Sequence, residues 1–171
     1  MRLAIVGPQH PTWRLQLEEM VKYRKLTGQV EFIDPVPYDD LPKLIASADV
    51  GVAPLERVHR NTVQGAAVTK IAHYLAAGRP VIASNLPIVR EVAHDSCALF
   101  HEPGDENDLA EKIVMLARDP ARRVAMGARG HAFAREKLHA DLGRTRLLRL
   151  YSTLLGAVDV APGSPAPAEG E

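Results

Sequence analysis

Residues 48–84 read ADVGVAPLERVHRNTVQGAAVTKIAHYLAAGRPVIAS. An apolar run, Val50 to Pro54, enters a long polar loop that carries a glycine. A helical pattern from about Ala66 to Ala77 follows, then Gly78, then a second apolar run that begins at Pro80. Strand, loop, helix, strand is the repeating unit of a parallel sheet, and such sheets place ligands beyond the carboxyl ends of their strands. The loop and first helical turn hold Arg57, Arg60 and Lys70 against one acid, Glu56. Free N–H groups at a helix start, flanked by cations, suit a phosphate or diphosphate.

The same alternation extends in both directions. Leu3–Val6, Val30–Ile33, Val81–Ala83 and Ala98–Phe100 are short apolar runs without strict alternation, as expected of strands covered on both faces. Helical patterns separate them. One runs from about Trp13 to Leu26, with Leu15, Leu17 or Met20, Val21 and Tyr23 available to cover the sheet. A second runs from Tyr38 to Ala46, with Asp39 or Asp40 as cap, and a helical turn occupies Pro87–Ala93. Asp105 caps a better-formed helix whose buried stripe is Leu109, Ile113 and Leu116. Asp119-Pro120 restarts a helix with Val124, Ala128 and Ala132 as a thin apolar face weakened by Gly127 and Gly130. A last helix covers His139 to Leu155. The pattern predicts one α/β domain over residues 1–155, with an open, mostly parallel sheet of five or more strands and extra carboxyl-terminal helices. The Pro/Ala/Gly-rich tail, residues 156–171, has little to bury and is expected to be disordered.

Composition narrows the function. Of 171 residues, 46% are hydrophobic and 25% charged, and 21 basic residues balance 21 acidic ones, so no overall basic field points to nucleic acid. Cys97 is the single cysteine, which rules out an intrachain disulfide and a cysteine-rich metal site. His59, His73, His94 and His101 form neither an i,i+4 pair nor an HExxH pattern, so no metal is expected. The run MRLAIVG is too short for a signal peptide or a membrane span, and a cytoplasmic protein is the default. The loop GPQHP after the first strand is not a GxGxxG fingerprint, which argues against a nicotinamide cofactor.

Four stretches together resemble the nucleotide-sugar-binding half of retaining glycosyltransferases built from two facing Rossmann-like domains, the GT-B architecture of glycosyltransferase family 4, group 1. They are LAIVG (3–7), VEFIDPVPYDDLPKLIASADVGVAPL (30–55), KIAHYLAAGRPVIASNLPIVREV (70–92) and PGDENDLAEKIVMLARDPARRVAMG (103–127). The likeness covers roughly residues 1–155, and the order and spacing of the pieces carry it. The resemblance implies a nucleotide-diphosphate sugar as donor substrate and no cofactor. It further implies that the donor's nucleoside diphosphate binds this domain, while an acceptor domain supplies the rest of the cleft.

The expected donor-binding residues are Arg57, Arg60, Gly65, Ala66, Ala67, Val68, Thr69, Lys70, His73 and Glu91. Lys70 and the loop arginines would meet the diphosphate, and Gly65 to Thr69 would offer backbone N–H groups to the distal phosphate. His73 would contact the ribose, and Glu91 would hold a loop near the donor. Two glutamates characteristic of the family are replaced: counted back from Gly78, the second position is His73 and the first Gly65. The chain also opens at what resembles the family's second strand, without the arginine and lysine that usually embrace the diphosphate. No catalytic residue is named, and little activity is expected of this chain alone. The alternatives are a non-catalytic interaction or regulatory domain of transferase descent, and part of a nucleotide-sugar epimerase-like enzyme. Leu147, Leu148, Tyr151, Leu154 and Leu155 on the last helix, with an unpaired sheet edge, point to an acceptor-domain partner chain or a homodimer.

Overall fold

The computed structural model describes residues 1–63 and 68–155. Five strands alternate with helices as the apolar runs require: β1 Leu3–Val6, β2 Val30–Ile33, β3 Gly51–Ala53, β4 Val81–Ser84 and β5 Ala98–His101. The helices are α1 Pro11–Tyr23, α2 Leu41–Ser47, α3 His59–Thr62, α4 Thr69–Ala76, α5 Pro87–Arg90, α6 Glu106–Arg118, α7 Pro120–Lys137 and α8 Ala140–Leu155. Every strand pair is parallel. This is a Rossmann-like α/β arrangement with additional helices at its carboxyl end.

The strands do not form one continuous ladder. β1 pairs with β2, in register Leu3 with Val30, and β3, β4 and β5 pair in that order. Among the described residues no strand lies on the edge of β1 opposite β2 or on the edge of β3 opposite β4, so both ladders stop there. Burial follows this division. All four residues of β4 are buried, as befits the centre of a three-stranded sheet, whereas three of the four in β1 are exposed. Helix α1 buries no residue, and Leu15, Met20 and Tyr23 stay exposed rather than covering the sheet.

The core sits around the three-stranded sheet. Ile71 and Leu75 of α4, Val81 and Ala83 of β4, Val89 of α5 and Cys97 form one cluster. Ile82, Leu116 and Met126 form a second, against which Leu109 and Ile113 of α6 pack. The α6 stripe read from the sequence is therefore the buried one. Asp105 caps α6, its carboxylate accepting from the N–H groups of Asn107 (2.9 Å) and Asp108 (3.0 Å). Asp119 does the same for α7 through Arg122 N–H at 2.8 Å.

Two expectations are corrected by packing. Asp40 makes no side-chain cap on α2, because residues Tyr38–Asp40 form a 3-10 turn and its backbone is already helical. Its carboxylate takes Lys43 Nζ at 3.4 Å instead. In α7 the apolar face is not Val124, Ala128 and Ala132, since Val124 is 74% exposed. The buried side is Met126, Gly127, Gly130 and Ala134. Gly78 ends α4 in the left-handed region, at φ 69°, with its N–H on Leu75 O and the next N–H, of Arg79, on Tyr74 O. A Cβ on Gly127 would overlap the Gly78 carbonyl oxygen, and one on Gly130 would lie 2.7 Å from Leu75 Cδ2. The glycines let α7 approach the α4 turn. They are contact surface, not weak points.

Candidate functional site

The carboxyl ends of β3, β4 and β5 lie side by side and deliver three loops to one edge of the sheet. The loop after β3 carries Arg57, the residue after β4 is Asn85, and the residue after β5 is Glu102. These side chains meet. Glu102 accepts from Arg57 Nη2 at 3.3 Å and from Asn85 Nδ2 at 3.2 Å. Asn85 Oδ1 in turn accepts from Arg90 Nε at 3.1 Å, and Arg90 also pairs with Asp95 at 2.9 Å. Arg57 is thus a cation at the strand ends, and it is held by a carboxylate, Glu102, that the sequence alone does not single out.

The turn behind Glu102 is stiffened from α6. Asp108 Oδ2 accepts the Glu102 N–H at 2.8 Å, and its Oδ1 pairs with Lys112 at 2.8 Å. The Lys112 hydrogen bond first, and the Glu102 N–H second, hold the Asp108 carboxyl below its ordinary titration range. Beneath this layer the strand ends are joined by buried polar groups. Ser84 Oγ accepts the Leu55 N–H at 2.7 Å and stands 3.3 Å from His101 Nε2, while His101 Nδ1 is 2.9 Å from the Glu102 carbonyl oxygen.

Lys70 is exposed in the first turn of α4, which starts at Thr69 after Val68, itself buried. Lys70 makes no hydrogen bond or ion pair among the described residues, and neither does Arg60 in α3, a short helix where an open loop was expected. Gly65, Ala66 and Ala67 lie outside the described residues. His73 is half-buried and packs edge-on to Tyr38, ring centroids 6.4 Å apart. Glu91 is exposed at the end of α5 and has no side-chain partner among the described residues. The structure brings Arg57 into a polar cluster, then, but supplies no contact that joins Glu91 to it.

Glu102, Asn85, Ser84 and His101 were missed from the sequence. The signal was present in part: Ser84 and His101 each end an otherwise apolar strand, where a polar side chain needs a partner once buried. Their mutual contact depends on the Ser84–His101 register of β4 and β5, which sequence does not give. An open concavity of about 340 Å³ lies on the outer side of β5 and shares Asn85 and Arg90 with the cluster. Two of its cations, Arg90 and Lys112, are paired with Asp95 and Asp108. Among the described residues no group of three or more His, Cys, Asp or Glu is placed to hold a metal ion. None of the described helices is long and apolar enough to cross a membrane.

Comparison with known proteins gives this architecture a lineage. A GDP-mannose-dependent monoacylated alpha-(1-6)-phosphatidylinositol monomannoside mannosyltransferase of Corynebacterium glutamicum is 30% identical over 126 residues, 73% of this chain and 33% of that protein. Sucrose-phosphate synthase from Thermosynechococcus elongatus superposes with a TM-score of 0.78 at 24% identity, over 92% of this chain and 39% of its own. HepE of Anabaena, in complex with UDP-glucose, gives 0.76 at 17% identity, over 89% and 41%. The carboxyl-terminal domain of a group 1 glycosyl transferase, LpcC of Francisella tularensis, gives 0.69 at 20%, over 81% and 70%. The chain therefore spans about a third of the curated relative and about two fifths of the sucrose-phosphate synthase and HepE chains. Residues 1–119 match the family described as Glycosyl transferases group 1, and the chain belongs to that family.

Proposed function

We propose that residues 1–155 are the donor-binding domain of a retaining glycosyltransferase, and that they take the nucleoside diphosphate of a nucleotide-diphosphate sugar at the carboxyl ends of β3–β5. The observation that carries this reading is the meeting of Arg57 with Glu102 at the strand ends; the exposed Lys70 in the first turn of α4 adds a second cation. The mannosyltransferase relative is GDP-mannose-dependent, and the structural neighbour HepE is in complex with UDP-glucose. Both support a diphosphate-linked sugar as the ligand class. The chemical contribution of this half is electrostatic. Cations and helix N–H groups stabilise the diphosphate as the glycosidic bond to it breaks. His73 takes the ribose side, and Gly65–Thr69 offer N–H groups to the distal phosphate.

Transfer to an acceptor needs a second domain, and this domain alone is proposed to be inactive. The apolar face of α8 supports such a partner: Leu147, Tyr151, Leu154 and Leu155 are between 50% and 77% exposed. β1 adds an edge without a strand neighbour among the described residues. The partner is an acceptor domain, with a second copy of the chain as the alternative, and the cytoplasm is the proposed location. Sedimentation of the chain with Leu147→Asp and Tyr151→Asp as controls separates self-association from a monomer awaiting a partner.

Isothermal titration with UDP, GDP and ADP tests the binding reading. Saturable binding of one of them, weakened by Lys70→Ala, is expected. No binding at millimolar nucleotide would refute it. A second reading, a non-catalytic interaction domain, is favoured by two observations: Arg57 is already engaged by Glu102, and Gly65 and His73 stand where the family's carboxylates are expected. Absence of nucleotide binding together with a tight complex through α8 would establish that reading. The epimerase-like alternative has no further observation in its favour.

A further inference from the structure

The buried groups beneath the proposed site form a one-way hydrogen-bond chain. The Glu102 carbonyl oxygen can only accept, so His101 Nδ1 at 2.9 Å must carry the proton that bonds it. In the neutral ring Nε2 is then a lone pair. The group it faces, 3.3 Å away, is Ser84 Oγ, whose hydroxyl can donate to it. Ser84 Oγ keeps its acceptor side for the Leu55 N–H at 2.7 Å. Every donor in the sequence Leu55 N–H, Ser84 O–H, His101 Nδ1–H has an acceptor. Ser84 is fully buried and His101 is 3% exposed, so water does not substitute for these partners, and a broken link leaves a buried polar group unpaired.

What the chain joins is as informative as its polarity. The β3–β4 ladder ends at the Ala53–Ala83 pair. Leu55 lies beyond it, two residues before Arg57. The side chain of Ser84 fastens that departing backbone to the end of β4, and His101 fastens Ser84 to the end of β5 and to the backbone of Glu102, the partner of Arg57. The two residues of the Arg57–Glu102 pair are thus held from below by one network, although they are far apart in sequence. Without it, the loop after β3 would leave the sheet with one fewer restraint, and Arg57 would be less firmly placed.

We propose that His101, as its Nδ1–H tautomer, is a positioning residue that acts through Ser84 to fix the loop after β3 and aim Arg57 at the strand-end site. The consequence for ligand binding rests on the donor-binding reading above; the tautomer and the loop restraint do not. The network is read first in the full chain without ligand. In a 15N-histidine-labelled sample, the ring resonance lost in His101→Phe identifies His101. It should show a protonated Nδ1 and an unprotonated Nε2, whose shift moves in Ser84→Ala. Amide hydrogen exchange then reads the far end. Ser84→Ala and His101→Phe should each speed exchange at Leu55 by about tenfold or more, with β2 unchanged, whereas Ser84→Thr, which keeps the hydroxyl, should restore protection. Titration with UDP and GDP reads the consequence, with an expected loss of affinity of roughly fivefold to tenfold in Ser84→Ala, recovered in Ser84→Thr. An Nε2–H tautomer in the native protein, or Leu55 exchange indifferent to His101→Phe, overturns the positioning role. If the native chain binds neither nucleotide, the donor reading fails, and the tautomer and Leu55 exchange still decide the network.

Discussion

Replacing Gly127 by alanine tests the packing that sets α7 against the sheet. Considered as a helix residue alone, Gly127→Ala should stabilise the protein, because glycine in a helix interior costs roughly 0.5–1 kcal/mol relative to alanine. The structure reverses the sign. The new Cβ would overlap the Gly78 carbonyl oxygen and lie 3.1 Å from the Gly78 carbonyl carbon. Those atoms cannot swing aside like the end of a side chain, because Gly78 is fixed in the left-handed turn that closes α4. Helix α7 must move away from that turn, loosening contacts around the buried Met126. Overpacking of this kind costs about 1–3 kcal/mol, and because the atoms met are fixed backbone the upper part of that range, about 2–3 kcal/mol, applies. After a propensity gain of about 0.5–1 kcal/mol the net expectation is a destabilisation of about 1–2.5 kcal/mol. At roughly 2–4 °C per kcal/mol for a chain of this size, Tm should fall by about 2–10 °C. Gly143→Ala is the internal control: it lies in α8 and its Cβ would meet nothing within 4 Å, so it should be neutral or stabilising by up to about 1 kcal/mol. Urea unfolding of both variants, followed by far-ultraviolet circular dichroism, measures the contrast. A Gly127→Ala protein as stable as the parent, or more so, would refute the close α7–α4 contact.

Glu102→Gln should tighten binding of UDP or GDP severalfold, because it frees Arg57 from its pair and removes a negative charge beside the proposed diphosphate site. Thermal stability should change little, since both partners are more than half exposed; weaker nucleotide binding in this variant would contradict the placement of Arg57. The Asp108 carboxyl titrates below its ordinary 3.8 because of Lys112 and the Glu102 N–H. Its stabilising contribution is therefore complete above about pH 4 and lost as pH falls through the lower folded value. Acid unfolding of Asp108→Asn should show a shallower loss over that window than the parent, and identical acid limbs would count against the assignment. Burial raises the Cys97 thiol above its usual range, so a disulfide reagent at neutral pH should label it only as fast as the protein opens; rapid labelling of the folded chain would show that this part of the core is accessible.

Local chemistry made much of the fold legible. The five apolar runs became the five strands, because short unalternating runs between helical patterns have few other ways to bury both faces. Asp105 and Asp119 cap α6 and α7 as their positions before helical runs indicate, since capping involves neighbours within three residues. The loop after β3 was legible as a strand-end feature, and Arg57 does stand there. Sequence did not reveal that Arg57 has a partner in Glu102, or that α7 turns its glycine side inward. Both facts involve residues distant along the chain whose meeting depends on strand order and register. Periodicity gave the faces of α1 and α7 incorrectly for the same reason: an apolar stripe shows what a helix can bury, and the neighbours available decide what it does bury. Family membership rests on order and spacing along the chain, which a sequence contains in full. The Leu55–Ser84–His101 network required tertiary structure, because a hydrogen bond is a matter of distance and direction, and parallel pairing of β4 with β5 is what places Ser84 beside His101.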